Sequence, residues 1–141
     1  MIKLFNQTAY DCSKLITQAY STSFSLGIRT LDKSYHPFIY AIYGFVRYAD
    51  EIVDTFHDQN KAELLKRFKK DTYQAIEEGI SLNPVLHSFQ DTVNRYQIDH
   101  GLIEAFLVSM EMDLAKKDDS DPEYKKYIYL TRESAERAKN R

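Results

Sequence analysis

The chain reads as all-α, and three observations predict that class. Only four Gly and three Pro punctuate 141 residues. No stretch sustains the apolar–polar alternation of a strand. Apolar side chains instead recur three and four apart in one segment after another, the period of a helix with one buried face. The expected architecture is an antiparallel bundle of about six helices joined by short turns.

The elements follow in order. A first helix is expected over about residues 6–20, with Leu15, Ile16, Ala19 and Tyr20 on its inner side. The Ser/Thr density and Gly27 of residues 20–31, YSTSFSLGIRTL, predict an irregular or frayed segment. Asp32 is a fitting N-cap for a long central helix, with Pro37 tolerated near its start. On that helix Tyr35, Phe38, Ile42, Phe45, Val46, Ala49, Ile52, Val53 and Phe56 share one apolar stripe. Asp58 or Asn60 can cap the next helix, about 61–78, whose inner stripe is Leu64, Leu65, Phe68, Thr72 and Ile76 and whose terminator is Gly79. Asn83 followed by Pro84 starts a helix over about 84–96, burying Val85, Leu86, Phe89 and Val93. Asp99 opens another, about 100–116, with Leu102, Ile103, Phe106, Leu107, Met110 and Leu114 as its apolar positions. Asp121 and Pro122 open the last, which carries Tyr124, Tyr127 and Tyr129. No internal repeat and no linker interrupts the series.

Composition narrows the function. Hydrophobic residues at 43% and charged residues at 28% describe a globular chain. A formal net charge of −2 offers no basic excess for nucleic-acid phosphates, so no nucleic-acid partner is expected. Cys12 is the only cysteine, which excludes an intrachain disulfide and points to a reducing cytosol. No apolar run reaches membrane-spanning length and MIKLFNQTAYDC lacks a signal-peptide core, so the expected location is cytoplasmic. Eleven Tyr and eight Phe can fill a core or line an apolar pocket.

The central helix also carries chemistry. Tyr43, Arg47, Asp50 and Asp54 stand at i, i+4, i+7 and i+11, a second stripe well round from the apolar one, with Glu51 at its flank. Spacing alone leaves two readings open. One is a solvated face with an ordinary Arg47–Asp50 pair, worth a few tenths of a kcal/mol. The other is a cation site. Carboxylates one turn apart can reach one Mg²⁺, which accepts one or two of them and completes its octahedron with water and substrate phosphate. Arg47 would add a fork-shaped donor for phosphate oxygens. Asp113 stands on an otherwise apolar stripe, so it is paired, functional, or slightly off the buried face. His36, His57, His87 and His100 lack helical zinc spacing and read as structural or solvated. Ser21 and Ser23 have no nearby His and Asp for a hydrolase triad, Cys12 has no electropositive company, and no Gly-rich phosphate loop is present.

Four stretches, in order, resemble the squalene/phytoene synthases, which join two prenyl diphosphates head to head. Tyr20-Ser21-Thr22-Ser23-Phe24 is similar to that family's early Ser-x-Ser-Phe segment. The fourteen residues Ala41 to Asp54, AIYGFVRYADEIVD, resemble its first aspartate-rich motif with the preceding Tyr and Arg. Ser109-Met110-Glu111-Met112-Asp113-Leu114 resembles Gly-Met-x-Met-Asp-Leu of the phytoene branch, and Tyr124 with Tyr127-Ile128-Tyr129 resembles the aromatic stretch that follows.

The resemblance implies the N-terminal half of an isoprenoid synthase fold, an all-α prenyltransferase with a central cavity. It implies Asp50 and Asp54 as ligands of Mg²⁺, with Mn²⁺ as the alternative ion. Arg47 and Tyr43 would contact diphosphate, Ser21 and Ser23 would lie near it, and Phe24 would line the pocket. Tyr127 would steer a carbocation and Asp113 would support the polar end. The implied substrate is farnesyl or geranylgeranyl diphosphate, and its lipophilic product suggests peripheral membrane association. Glu51 stands where the family commonly has a second Asp. The resemblance stops at Tyr129, which divides the chain into a synthase-like region, 1–129, and a charged tail, 130–141, LTRESAERAKNR from Leu130. The family's second aspartate-rich motif is absent. The chain alone is therefore expected to be inactive, with a separate C-terminal half or a second copy as its partner. A non-catalytic helical interaction protein is the alternative.

Overall fold

The computed structural model describes residues 1–120, with side chains as far as Lys116, and Arg137. Among them are six α-helices, one 3-10 turn and no strand. The helices are α1 (Ile2–Tyr20), α2 (Thr22–Ile28), α3 (His36–Asp54), α4 (Lys61–Glu78), α5 (Pro84–Tyr96) and α6 (His100–Ser120). The all-α class is as expected, but one helix arises from an unexpected place. The segment 20–31, read as irregular, holds the short helix α2, because Ser21 caps it by accepting from the Phe24 N–H at 3.1 Å. The helix expected from Asp121, with Tyr124, Tyr127 and Tyr129, lies outside the described residues, as does the boundary at 129/130.

Local chemistry sets the other ends. Asp32 caps the 3-10 turn Lys33–Tyr35 rather than α3, and α3 starts with Pro37 in its first turn. Asn60, not Asp58, caps α4 through the Glu63 N–H, and Gly79 closes that helix in the left-handed conformation at φ 73°. Asn83 accepts from the N–H groups of Val85 and Leu86 at the start of α5. Asp99 accepts from Gly101 N–H at 2.8 Å at the start of α6.

The core is aromatic at its centre. Phe45 of α3 stacks on Phe89 of α5 at 3.8 Å between centroids and lies 5.2 Å from Phe68 of α4. Leu65, Ile76, Val85, Leu86, Val93, Ile103 and Leu107 close around this stack. The Phe45–Phe68 contact, with Lys61 Nζ donating to the Val53 carbonyl at 2.7 Å, runs α3 and α4 antiparallel. Helix α5 is enclosed by α1, α3 and α4. It therefore buries polar positions too: His87, Ser88, Gln90 and Thr92.

Helix α1 departs from its expected face. Leu15 is 68% exposed and Ala19 and Tyr20 are also exposed; the buried stripe is Ala9, Tyr10, Ser13 and Thr17. The reason is close approach. A Cβ on Gly44 of α3 would sit 3.2 Å from Ser13 Oγ, and Ser13 Oγ meets Ser88 Oγ at 2.8 Å. Small side chains win this interface because they let three helix backbones converge. The same effect rotates the stripe on α3, which buries Tyr40, Ala41, Gly44, Phe45, Ala49, Ile52 and Val53. Tyr35, Ile42 and Phe56, counted as core by periodicity, are exposed, and so is Leu102 on α6.

Candidate diphosphate site on α3

The close α1–α3 contact fixes where α1 ends. Its last residue, Tyr20, presents the face of its ring to Arg47, with Cζ 4.7 Å from the centroid. The chain then turns through Ser21 into α2, and Phe24 stacks on Tyr43 at 4.8 Å. Two aromatic contacts thus tie the Ser-rich segment to the polar line of α3. Ser21 spends one oxygen lone pair on its cap, and Ser23 is exposed in the first turn of α2.

Along α3, Tyr43, Arg47 and Asp50 are half-buried and Asp54 is exposed near the helix end. The simple pair expected from spacing, Arg47 with Asp50, is not the bond that forms. Arg47 donates from Nε to Glu51 Oε1 at 3.0 Å, and from Nη2 to the same oxygen. The i, i+4 spacing brings Arg and Glu tips together more readily than i, i+3 brings Arg to a shorter Asp. The hydrogen bond from Arg47 to Glu51 raises the guanidinium pKa further. Hydrogen bonding by Thr55 and then Arg47 holds the Glu51 carboxyl below the ordinary range.

Asp50 behaves oppositely. Burial raises its pKa; Arg47 opposes that shift, while Asp54, Asp113 and Glu51 add to it. Asp113 is exposed, so it lies off the buried face of α6. Its charge nevertheless acts on Asp50 from α6. Tyr127 lies outside the described residues.

The donor set fits a hard divalent cation. Asp50 and Asp54 offer oxygen ligands one turn apart, and a third carboxylate adds charge that a cation would neutralise. Among the described residues no group of three or more His, Cys, Asp or Glu could hold a metal by itself.

An apolar recess of about 210 Å³ lies between α3, α5 and α6, lined by Ile42, Val46, Phe45, Phe89, Leu102 and Phe106 among others. Ile42 and Val46 precede Asp50 by two turns and one on the same helix. The sequence missed Tyr20 as an arginine partner and Glu51 as its anchor. The signal for Glu51 was the Arg47–Glu51 i, i+4 spacing; a cation–π contact across two helices left none.

No helix among the described residues is long and apolar enough to cross a membrane. The squalene/phytoene synthase family model matches residues 17–135. The chain is 28% identical over 109 residues to the bifunctional protein CrtB/UppS of Streptomyces coelicolor, covering 77% of this chain and 19% of that protein. It is 27% identical over 109 residues to the phytoene synthase of Arthrospira platensis, covering 77% of this chain and 35% of that protein. It thus spans about a third or less of the length of these curated relatives. With the aspartate-bearing helix, the Ser-rich turn before it and the acidic end of α6 all inside the matched region, the chain belongs to the squalene/phytoene synthase family.

Proposed function

We propose that this chain supplies one wall of a prenyltransferase site that binds an isoprenyl diphosphate, farnesyl or geranylgeranyl, for head-to-head condensation. The observation that supports the reading is the line of Tyr43, Arg47, Asp50 and Asp54 along one helix, with half-buried Asp50 under the charge of Asp54 and of Asp113 on α6. Asp50 and Asp54 hold Mg²⁺, or Mn²⁺ in its place, which neutralises charge on the departing diphosphate. Arg47 donates to phosphate oxygens and is already oriented before ligand arrives. Tyr43, stacked on Phe24, closes the site toward α2, and Ser21 and Ser23 face the diphosphate from that turn. Ile42, Val46 and Phe106 take the prenyl chain and keep water from an allylic cation. Tyr127 is assigned to that cation, and Asp113 to support of the polar end.

One acidic helix grips the diphosphate from one side only, so these residues alone bind without turnover, and a second acidic wall restores condensation. The test is incubation of the purified chain with Mg²⁺ and geranylgeranyl or farnesyl diphosphate, followed both by calorimetry and by extraction of hydrocarbon product. Binding lost in Asp50→Asn supports the site. Absence of any Mg²⁺-dependent binding overturns it, and turnover by the chain alone overturns the claim of inactivity.

A second reading has its own observation. Met1, Ile2, Leu4, Phe5, Ile80 and Leu82 frame an apolar recess of about 540 Å³ remote from α3's polar line. Uncovered apolar area of this kind suits an interaction protein, self-association, or a peripheral lipid contact. Light scattering that finds a dimer, with no Mg²⁺–diphosphate response, favours this reading.

A further inference from the structure

We infer that Glu51 and Tyr20 are positioning residues that hold the Arg47 guanidinium for a diphosphate, so that Glu51 serves as an arginine anchor and not as a metal ligand. The inference rests on the diphosphate site proposed above and assigns roles to two residues that reading leaves out.

An arginine tip has two ways to drift: it can swing in its plane, or tilt out of it. Glu51 stops the first. Its Oε1 accepts from both Nε and Nη2, one whole edge of the fork. Tyr20 stops the second, because its ring lies against the guanidinium face at 4.7 Å. What Glu51 leaves over is the Nη1 edge of the fork, which points away from it.

The same geometry argues against Glu51 as a metal ligand. Its Oε1 is engaged by a cation already, and a metal would have to displace Arg47 from it. Asp50 differs: no hydrogen bond from Arg47 reaches it, and like charges crowd it. Two neighbouring acids on one helix thus divide the work, one holding the arginine and one facing the cation.

The test uses the intact 141-residue chain, calorimetry with Mg²⁺ alone and with Mg²⁺ plus inorganic pyrophosphate, and NMR of the Arg47 Nε–H. Glu51→Gln should speed exchange of that proton and weaken Mg²⁺–pyrophosphate about tenfold, the scale of a lost charge-assisted bond, while leaving Mg²⁺ alone unchanged. Tyr20→Phe keeps the ring face and should match the native chain, whereas Tyr20→Ala should weaken pyrophosphate. In an Arg47→Ala background Glu51→Gln should change nothing further, a coupling that a purely structural role would not produce. Three outcomes overturn the inference. One is that Glu51→Gln weakens Mg²⁺ alone as Asp50→Asn does, which makes Glu51 a ligand. Another is that the Glu51 and Arg47 effects add. The third is a Glu51-dependent Arg47 proton in a native chain that binds no Mg²⁺–pyrophosphate; then the pair is structural and the diphosphate reading itself fails.

Discussion

Gly44 is the position where a single added carbon should reach furthest through the molecule. A methyl there would lie 3.2 Å from Ser13 Oγ, 3.3 Å from its Cβ and 3.5 Å from its Cα. Two of those atoms belong to or adjoin the α1 backbone, and Oγ is held by Ser88 at 2.8 Å. The neighbour therefore cannot swing aside; α1 as a whole has to move. Overpacking of this kind costs about 1–3 kcal/mol. Alanine in a helix interior returns about 1 kcal/mol relative to glycine. The net expectation for Gly44→Ala is a loss of about 1 kcal/mol, or a fall in Tm of about 4 °C for a chain this size. Circular dichroism at helical wavelengths reads it. Ser13→Gly removes the Oγ and Cβ contacts, so Gly44→Ala/Ser13→Gly should be less destabilised than the sum of its parts by about 1 kcal/mol. A higher Tm in Gly44→Ala would refute the reasoning, since propensity would then outweigh contact and α1 would not be tightly seated.

Three further perturbations test other parts of the structure. Phe45→Ala empties the centre of the aromatic stack, where Phe45 is 2% exposed, and should cost about 3–5 kcal/mol, read as a lowered denaturant midpoint. Asp50→Asn should raise the Tm of the metal-free chain, because it removes a half-buried charge facing Asp54, Asp113 and Glu51, and should abolish stabilisation by Mg²⁺ with pyrophosphate. His87 is buried, with Nε2 on Asn6 Oδ1 at 2.6 Å and Nδ1 accepting from Ser81 N–H at 3.2 Å, and burial holds its pKa below the ordinary 6.5. The unfolded chain then takes the proton first as pH falls. Stability present above pH 6.5 should decline progressively below it, and urea titrations of His87→Gln from pH 8 to 5 should show a flatter slope than the native chain.

Much of this was legible in the sequence, and the parts that were not share a cause. Helices α4 and α5 follow their expected bounds because Asn60, Gly79, Asn83 and Pro84 are strong local signals acting on their own backbone. On α3 Phe45, Ala49, Ile52 and Val53 are buried as expected, but the face of α1 and the edge of the α3 stripe were misjudged, because hydrophobic periodicity gives weight to Leu15 and Ile42 and none to Ser13, Thr17 and Gly44. Burial there follows backbone proximity, a property of three helices together. Lys61 is a similar case: a lysine at the start of α4 reads as solvated, yet it is fully buried with its ammonium on the Val53 carbonyl and His57 Nδ1 at 3.0 Å. The polar line of α3 could be read because i, i+4 spacing is a property of one helix. The meeting of that line with Asp113 needed the fold.

On the proposed reading, the electrostatics of Asp50 supply the pull on the cation. Asp50 is half-buried among like charges, an arrangement that disfavours its own ionised form. Left alone, it weakens the fold at neutral pH, since folding then holds a carboxylate where water would serve it better. A divalent cation reverses the sign: the same crowding that raises the pKa becomes a field that attracts the ion. A rigid support is needed for this to work, because a flexible helix end would let the acids spread and dissipate the field. Here α3 is clamped through Gly44 one turn before Arg47 and through the Phe45 stack beside it. The charge can be crowded because the backbone beneath it cannot yield.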